Sequence, residues 1–342
     1  MHSQYKYQYK YSIFFTSLLA IVLLPSAYQK YFESSSMALG LVISSLLIFF
    51  YYFYKQKYDH INRILTPFFW LLVLIFFISI YSMLIHDEFS NTRFLLSYFI
   101  TWVLLLASFY FVKISLKVDD NDLYKYISSI FYVLLFDGIL VCAKKALSLG
   151  NHKDFLFFTE PSHFAIIFLP FLLFKVLTYK KNYQIYSILL ISLFLVVYLK
   201  NLTLLVGIIS IILLLSFKKS LIMFLLFVIT TILINPDNYI YFLDRLSATN
   251  TNNVSLIVFL SGWESAYINL FGSNLFGIGF QQLGFLGTDG FYRDKLISMN
   301  LGTVNLYDGG TTGSKLISEL GLLGLFLIVQ YLRYMIKMIS IV

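Results

Sequence analysis

The sequence predicts an all-α polytopic membrane protein of about ten transmembrane helices, with one large external loop that contains an amphipathic helix. Two proportions and one spacing predict it. Hydrophobic residues make up 59% of the 342 and charged residues 12%, at a mean hydropathy of +0.80, which does not suit a soluble surface. Apolar runs recur near the ~20 residues that cross a bilayer core at about 1.5 Å per residue. They leave no room for a sizeable soluble domain, so any chemistry falls to helix ends and loops.

The runs fall at 11–27, 37–54, 64–85, 94–112, 123–147, 161–178, 183–199, 201–217, 219–235 and 314–336. Lys6 and Lys10 ahead of Ile13–Leu24 resemble a secretion signal, but Pro25-Ser26-Ala27 is a poor cleavage site, so an uncleaved first span is expected. Lys55, Lys57 and Arg63 separate the second span from the third, and Arg93 and Lys113 bracket the fourth. The fifth follows DDND at 119–122, which is read as a solvated loop capping the helix. The sixth begins in TEPSHF, with Pro161 at the first helical position and Thr159 or Glu160 as its cap. Lys200 and Lys218-Lys219 divide the next three. The chain thus divides into a nine-span region at 1–235, an external loop at 236–313 and a C-terminal span within 314–342. In the loop, Leu256, Leu260, Trp263, Tyr267 and Leu270 repeat as one face of a helix.

Lys and Arg set the orientation. With the N-terminus inside, the inner segments hold Lys6, Lys10, Lys55, Lys57, Arg63, Lys113, Lys117, Lys125, Lys175, Lys180, Lys181, Lys218 and Lys219. The outer short loops hold Lys30, Arg93 and Lys200, with Lys144, Lys145 and Lys153 together in one loop. Both termini are therefore expected in the cytoplasm. The formal charge of +8 is distributed singly and in pairs, with no basic stripe, so topology explains it and no nucleic-acid partner is expected. One cysteine, Cys142, forbids an intrachain disulfide, and the five histidines take no metal-ligand spacing; no metal and no cofactor are expected. His86-Asp87-Glu88 is a weak candidate for a metal-assisted transferase. No G-x-S-x-G elbow, Walker loop or dinucleotide fingerprint occurs.

Several groups have chemistry to offer on the outer side. His163, one turn into its helix, must face protein or water, and Glu160 beside it is a base type whose pKa burial can tune. Lys144, Lys145, Arg245, Arg293 and Lys315 could hold an anion, the arginines through a forked donor set. Snorkelling to headgroups is the plain alternative for the lysines, and helix capping for Glu160. Asp137, inside the fifth span at an insertion cost of about 2.5 to 3.5 kcal/mol, is expected to pair with a neighbouring helix.

Arg245-Leu246, SGWESAY from Ser261, FGIGFQQLG from Phe276 and DGGTTGSKLISELGLLG from Asp308, together with TEPSHF, resemble bacterial O-antigen polymerases of the Wzy type, which are related to O-antigen ligases. The resemblance implies an enzyme in the bacterial inner membrane. It would be an inverting glycosyltransferase that moves a growing O-antigen or capsule chain from undecaprenyl pyrophosphate onto a new lipid-linked repeat unit at the outer face. Its partners would be that lipid-linked oligosaccharide, membrane lipid and a chain-length regulator protein. Relatives carry a His ahead of the Glu-x-Gly-Leu-Leu-Gly helix; here that place falls near Gly310, with Asp308 two residues earlier. Glu160, His163 and Asp308 are thus the catalytic candidates. Arg245, Lys144 and Lys145 are assigned to pyrophosphate, Arg293 and Lys315 lie on the same side, and Trp263, Glu264, Gln281 and Gln282 are assigned to sugar. A polysaccharide ligase is the close alternative. A lipid-linked oligosaccharide flippase is the alternative of another class, although a transporter would place its polar groups near the bilayer midplane.

Overall fold

The computed structural model describes residues 2–34, 37–55, 62–149, 154–215, 242, 253–287 and 289–339. The protein is a helical membrane protein: its described elements are helices, and six of them are long and apolar enough to cross a membrane, Thr66–Ile85, Asn91–Ser115, Asp120–Ala146, Pro161–Thr178, Asn182–Leu199 and Val254–Gly272. The helices are α1 (His2–Tyr31), α2 (Ala38–Lys55), α3 (Asn62–Ile85), α4 (Asn91–Ser115), α5 (Asp120–Ala146), α6 (Pro161–Thr178), α7 (Asn182–Leu199), α8 (Leu202–Leu213), α9 (Val254–Gly272), α10 (Phe291–Ser298), α11 (Thr312–Leu320) and α12 (Leu322–Ile339). The span expected at 219–235 lies outside the described residues, as do Arg245 and Lys153. Helix α1 continues through Pro25-Ser26-Ala27. The chain forms two compact units, Met1–Lys57 with Val103–Leu246, and Tyr58–Trp102 with Ser247–Val342.

The first unit packs α5, α6, α7 and α8 around aromatic rings. Phe155, Phe164, Phe168 and Phe131 stack in series, with centroids 4.9, 5.2 and 5.4 Å apart. Lipid tails are as apolar as these side chains, so close van der Waals fit holds the helices together rather than withdrawal from water. Lys200 takes a left-handed conformation (φ 49°) that ends α7, and Asn201 then caps α8 by accepting from the Leu204 N–H at 3.1 Å. The short connection at Lys200 is thus a tight helical hairpin.

In the second unit, the run expected as one span at 314–336 is two helices, α11 and α12. The break is Gly321, whose φ of +56° suits glycine and whose absent Cβ leaves room for the Leu275 carbonyl. The Leu322 N–H donates to that carbonyl at 2.9 Å. With nine residues, α11 is far too short to cross a bilayer. The periodicity at 254–272 is a helix, as expected, with Trp263 and Tyr267 turned outward. Its packed face is a stripe of small residues, Ser261, Gly262, Ser265 and Ala266, and a side chain at Gly262 would collide with the Gly309 carbonyl. Small residues allow such backbone approach between helices in lipid.

The segment 276–287 is stitched to two places. Ser82 Oγ donates to the Ile278 carbonyl at 2.5 Å, and Ser90 N–H donates to Gln282 Oε1 at 2.8 Å. The Ile278 and Gly279 N–H groups donate to the Ser318 and Glu319 carbonyls at 3.0 and 2.9 Å. Residues 276–287 therefore lie at the same end of α3 and α4 as the 86–90 loop.

Candidate functional site

In the first unit, TEPSHF sits at the start of α6 on a loop held by buried groups. Asp137 is fully buried, and its carboxylate accepts the Leu156 and Phe157 N–H groups at 2.7 and 3.4 Å. Among the described residues its hydrogen-bond partners are thus backbone N–H groups of the loop, in place of the expected neighbouring helix. Tyr31 donates to the Leu156 carbonyl at 2.9 Å, and Asn201 Nδ2 donates to the Pro161 carbonyl. The Glu160 carboxylate occupies the N-cap position of α6 but makes no capping hydrogen bond. It is exposed and accepts from Ser162 Oγ at 3.0 Å. The His163 Nδ1 partner is Thr159 Oγ1 at 2.9 Å, so Thr159 orients the ring. Lys145 Nζ donates to the Tyr198 carbonyl at 2.7 Å, which engages this amine at the C-terminal turn of α7. Lys144 is half-buried in the last turn of α5.

In the second unit the polar groups converge on α11. Lys315 Nζ donates to the Tyr307 carbonyl at 2.8 Å and to Gln281 Oε1 at 3.3 Å, and lies 3.9 Å from Asp308 Oδ1 and 4.0 Å from Glu319 Oε1. Asp308 is highly exposed, so its attraction to Lys315 is screened by water. Glu319 is 2% exposed and takes the Leu283 N–H at 3.4 Å. It lies on the short α11, outside the crossing-length helices. Burial pushes its carboxyl up to about 7, while Lys315, the N–H groups of Gln281 and Leu283, and Arg93 act the other way. Arg93 stacks its guanidinium 4.3 Å from the Tyr307 ring centroid and 5.2 Å from that of Phe285. Two cations thus meet at Tyr307, Arg93 over its ring and Lys315 at its backbone carbonyl, with amide and carboxylate oxygens beside Lys315. That combination can hold an anion and a hydroxyl-bearing ligand together.

Other nominated residues serve the chain itself. Glu264 accepts the Phe291 and Tyr292 N–H groups at 2.9 and 2.8 Å, capping α10. Gln282 is buried and exchanges hydrogen bonds with the Ser90 backbone at 2.8 and 3.2 Å. Buried Arg293 donates to the carbonyls of Gly302 and Val304, and the adjoining cavity, near Ser261, Ser265 and Asn305, measures about 20 Å³, room for about one water. Trp263 is half-exposed on the outward face of α9.

Sequence reasoning missed Arg93, Glu319 and Asn201. A signal existed for Glu319, which follows Lys315 at helical i,i+4 spacing in an otherwise apolar stretch. Arg93 alone between two spans gave none. Comparison of the chain with family models, curated proteins and solved structures finds no match in any of the three.

Proposed function

We propose that this protein is a membrane glycosyltransferase that polymerises lipid-linked repeat units of an O-antigen or capsule at the outer face of the bacterial inner membrane. The observation that carries the reading is the Arg93–Lys315 pair, set with Gln281, Tyr307 and Asp308 on one face of the second unit. In the reaction an acceptor sugar hydroxyl attacks the anomeric carbon of the growing chain, the bond from that carbon to the pyrophosphate oxygen breaks with inversion, and the hydroxyl proton passes to a base. Lys315 and Arg93 neutralise the charge that builds on the leaving undecaprenyl pyrophosphate. Glu160 and His163 in the first unit and Asp308 in the second are the base candidates, and Trp263 and Gln281 meet sugar. Glu264, Gln282 and Arg293 keep their structural roles. Lys144 and Arg245 remain assigned to the anion by their charge, their expected outer position and the resemblance, and the expected lipid-linked oligosaccharide and chain-length regulator remain its partners.

Deletion of the protein is expected to abolish long polysaccharide and leave single repeat units on the ligation acceptor. Loss of even single-unit material, with lipid-linked units trapped on the cytoplasmic face, would replace the enzyme with a flippase.

The topology proposed with this function has about ten spans, both termini in the cytoplasm and 236–313 outside, because Lys and Arg concentrate in the inner segments. The binding of 276–287 to Ser82 and Ser90 supports a common face for that segment and the 86–90 loop. Helix α9 then lies along the outer leaflet. In a background without Cys142, introduced Cys at Glu88, Ser255 and Asp289 should all be modified from outside. If Cys at 289 reacted only after permeabilisation, the orientation would be wrong; if only Cys at 255 did, α9 would be a crossing helix.

A further inference from the structure

Lys175 lies in the last turn of α6 and is 2% exposed. A buried ammonium is ordinarily balanced by a carboxylate. Among the described residues Lys175 has no such ion pair. Its nitrogen instead donates to Tyr124 Oη and Ser128 Oγ, each at 3.2 Å. It also lies 4.5, 4.9 and 5.3 Å from the ring centroids of Tyr179, Tyr124 and Tyr132. Ring faces stabilise a cation but leave its charge uncancelled.

The hydrogen count points the same way. The Tyr124 hydroxyl accepts from the ammonium, and the Ser128 and Thr178 hydroxyls are further hydrogen-bond partners for it. The Tyr132 and Tyr179 hydroxyls, 3.0 Å apart, use one hydrogen between them and keep the other. Among the described residues the cluster therefore offers a cation and at least one hydroxyl donor, with no carboxylate paired to the ammonium. Tyr124 and Tyr132 are 38% and 51% exposed, so these hydroxyls stand at its rim. Exposed Lys180 and Lys181 border the same end of α6 and add positive potential, while Lys125 at the start of α5 is paired with Asp122. Fifteen residues of α6 separate Lys175 from Glu160, about 22 Å at helical rise, so this end is apart from the Glu160 and His163 candidates.

We propose that Lys175, Tyr124, Tyr132 and Tyr179 form a binding site for a phosphate anion, carried by the headgroup of an acidic membrane lipid or free in solution. The phosphate oxygens accept from the rim hydroxyls, and the ammonium behind them supplies the counter-charge.

The test is native mass spectrometry of the purified full-length protein, delipidated and offered phosphatidylglycerol, phosphatidylcholine or inorganic phosphate. Wild-type protein should retain one phosphatidylglycerol about tenfold more tightly than phosphatidylcholine, about 1.4 kcal/mol. Lys175→Gln should remove the preference. The double variant Tyr124→Phe, Tyr132→Phe keeps the rings and loses the rim donors, so it should weaken retention without unfolding the cage. Retention of inorganic phosphate that also requires Lys175, without a lipid preference, would assign the site to the free anion. Equal retention by wild type and both variants, or no binding of either probe, would overturn the site.

Discussion

Arg93→Ala should lower polymer formation by about a hundredfold or more, the scale seen when one charge-stabilising donor is removed from a transition state. Among the described residues its guanidinium lies over the Tyr307 and Phe285 rings and forms no ion pair, so its charge is available to a ligand. Arg93→Lys keeps the charge and loses both the fork and the planar stacking, and should recover only a minor part. Loss of stacking alone would appear as a lower thermal midpoint in both variants with little change in turnover. A normal product length from Arg93→Ala at wild-type protein level would remove Arg93 from the anion site and leave Lys315 without its partner.

Glu160→Gln should also cost about a hundredfold or more in rate, the usual contribution of a general acid or base. A mere helix cap predicts far less, because the amide retains an oxygen acceptor and the dipole contribution is only about 0.3 to 1 kcal/mol at an exposed site. The geometry separates the two readings further, since Glu160 makes no capping bond that the amide would have to replace. Its contact with Ser162 Oγ is between exposed groups, so Ser162→Ala should be tolerated. The loop beneath is anchored by Asp137, Tyr31 and Asn201, none of which depends on the Glu160 charge, so Glu160→Gln should fold and insert normally. Near-normal polymerisation by this variant would return TEPSHF to capping and leave Asp308 as the leading base.

The helices were legible because apolar length is a local property. Pro161 opens α6 and Thr178 closes it at the expected residues. The run at 314–336 misled because hydropathy cannot register a backbone conformation: Gly321 is as compatible with a continuous helix as with the left-handed break that the Leu275 carbonyl requires. Candidate residues were harder to sort, since polarity shows that a side chain needs partners without showing which. Gln282 finds Ser90, and Glu264 finds the start of α10, through contacts that span long stretches of sequence. The same blindness hid Arg93, whose aromatic partners lie about two hundred residues further on. Lys145 breaks the charge asymmetry of the sequence, yet its amine is engaged by the end of α7.

The reading as a polymerase is tested most directly by reconstituting the purified protein in liposomes with undecaprenyl-pyrophosphate-linked repeat units and no nucleotide sugar. Glycans of many repeat units should form, with release of one undecaprenyl pyrophosphate for each linkage made. Lipid-linked units that remain single under these conditions, while their transfer to an added lipid acceptor or their movement across the bilayer proceeds, would contradict it.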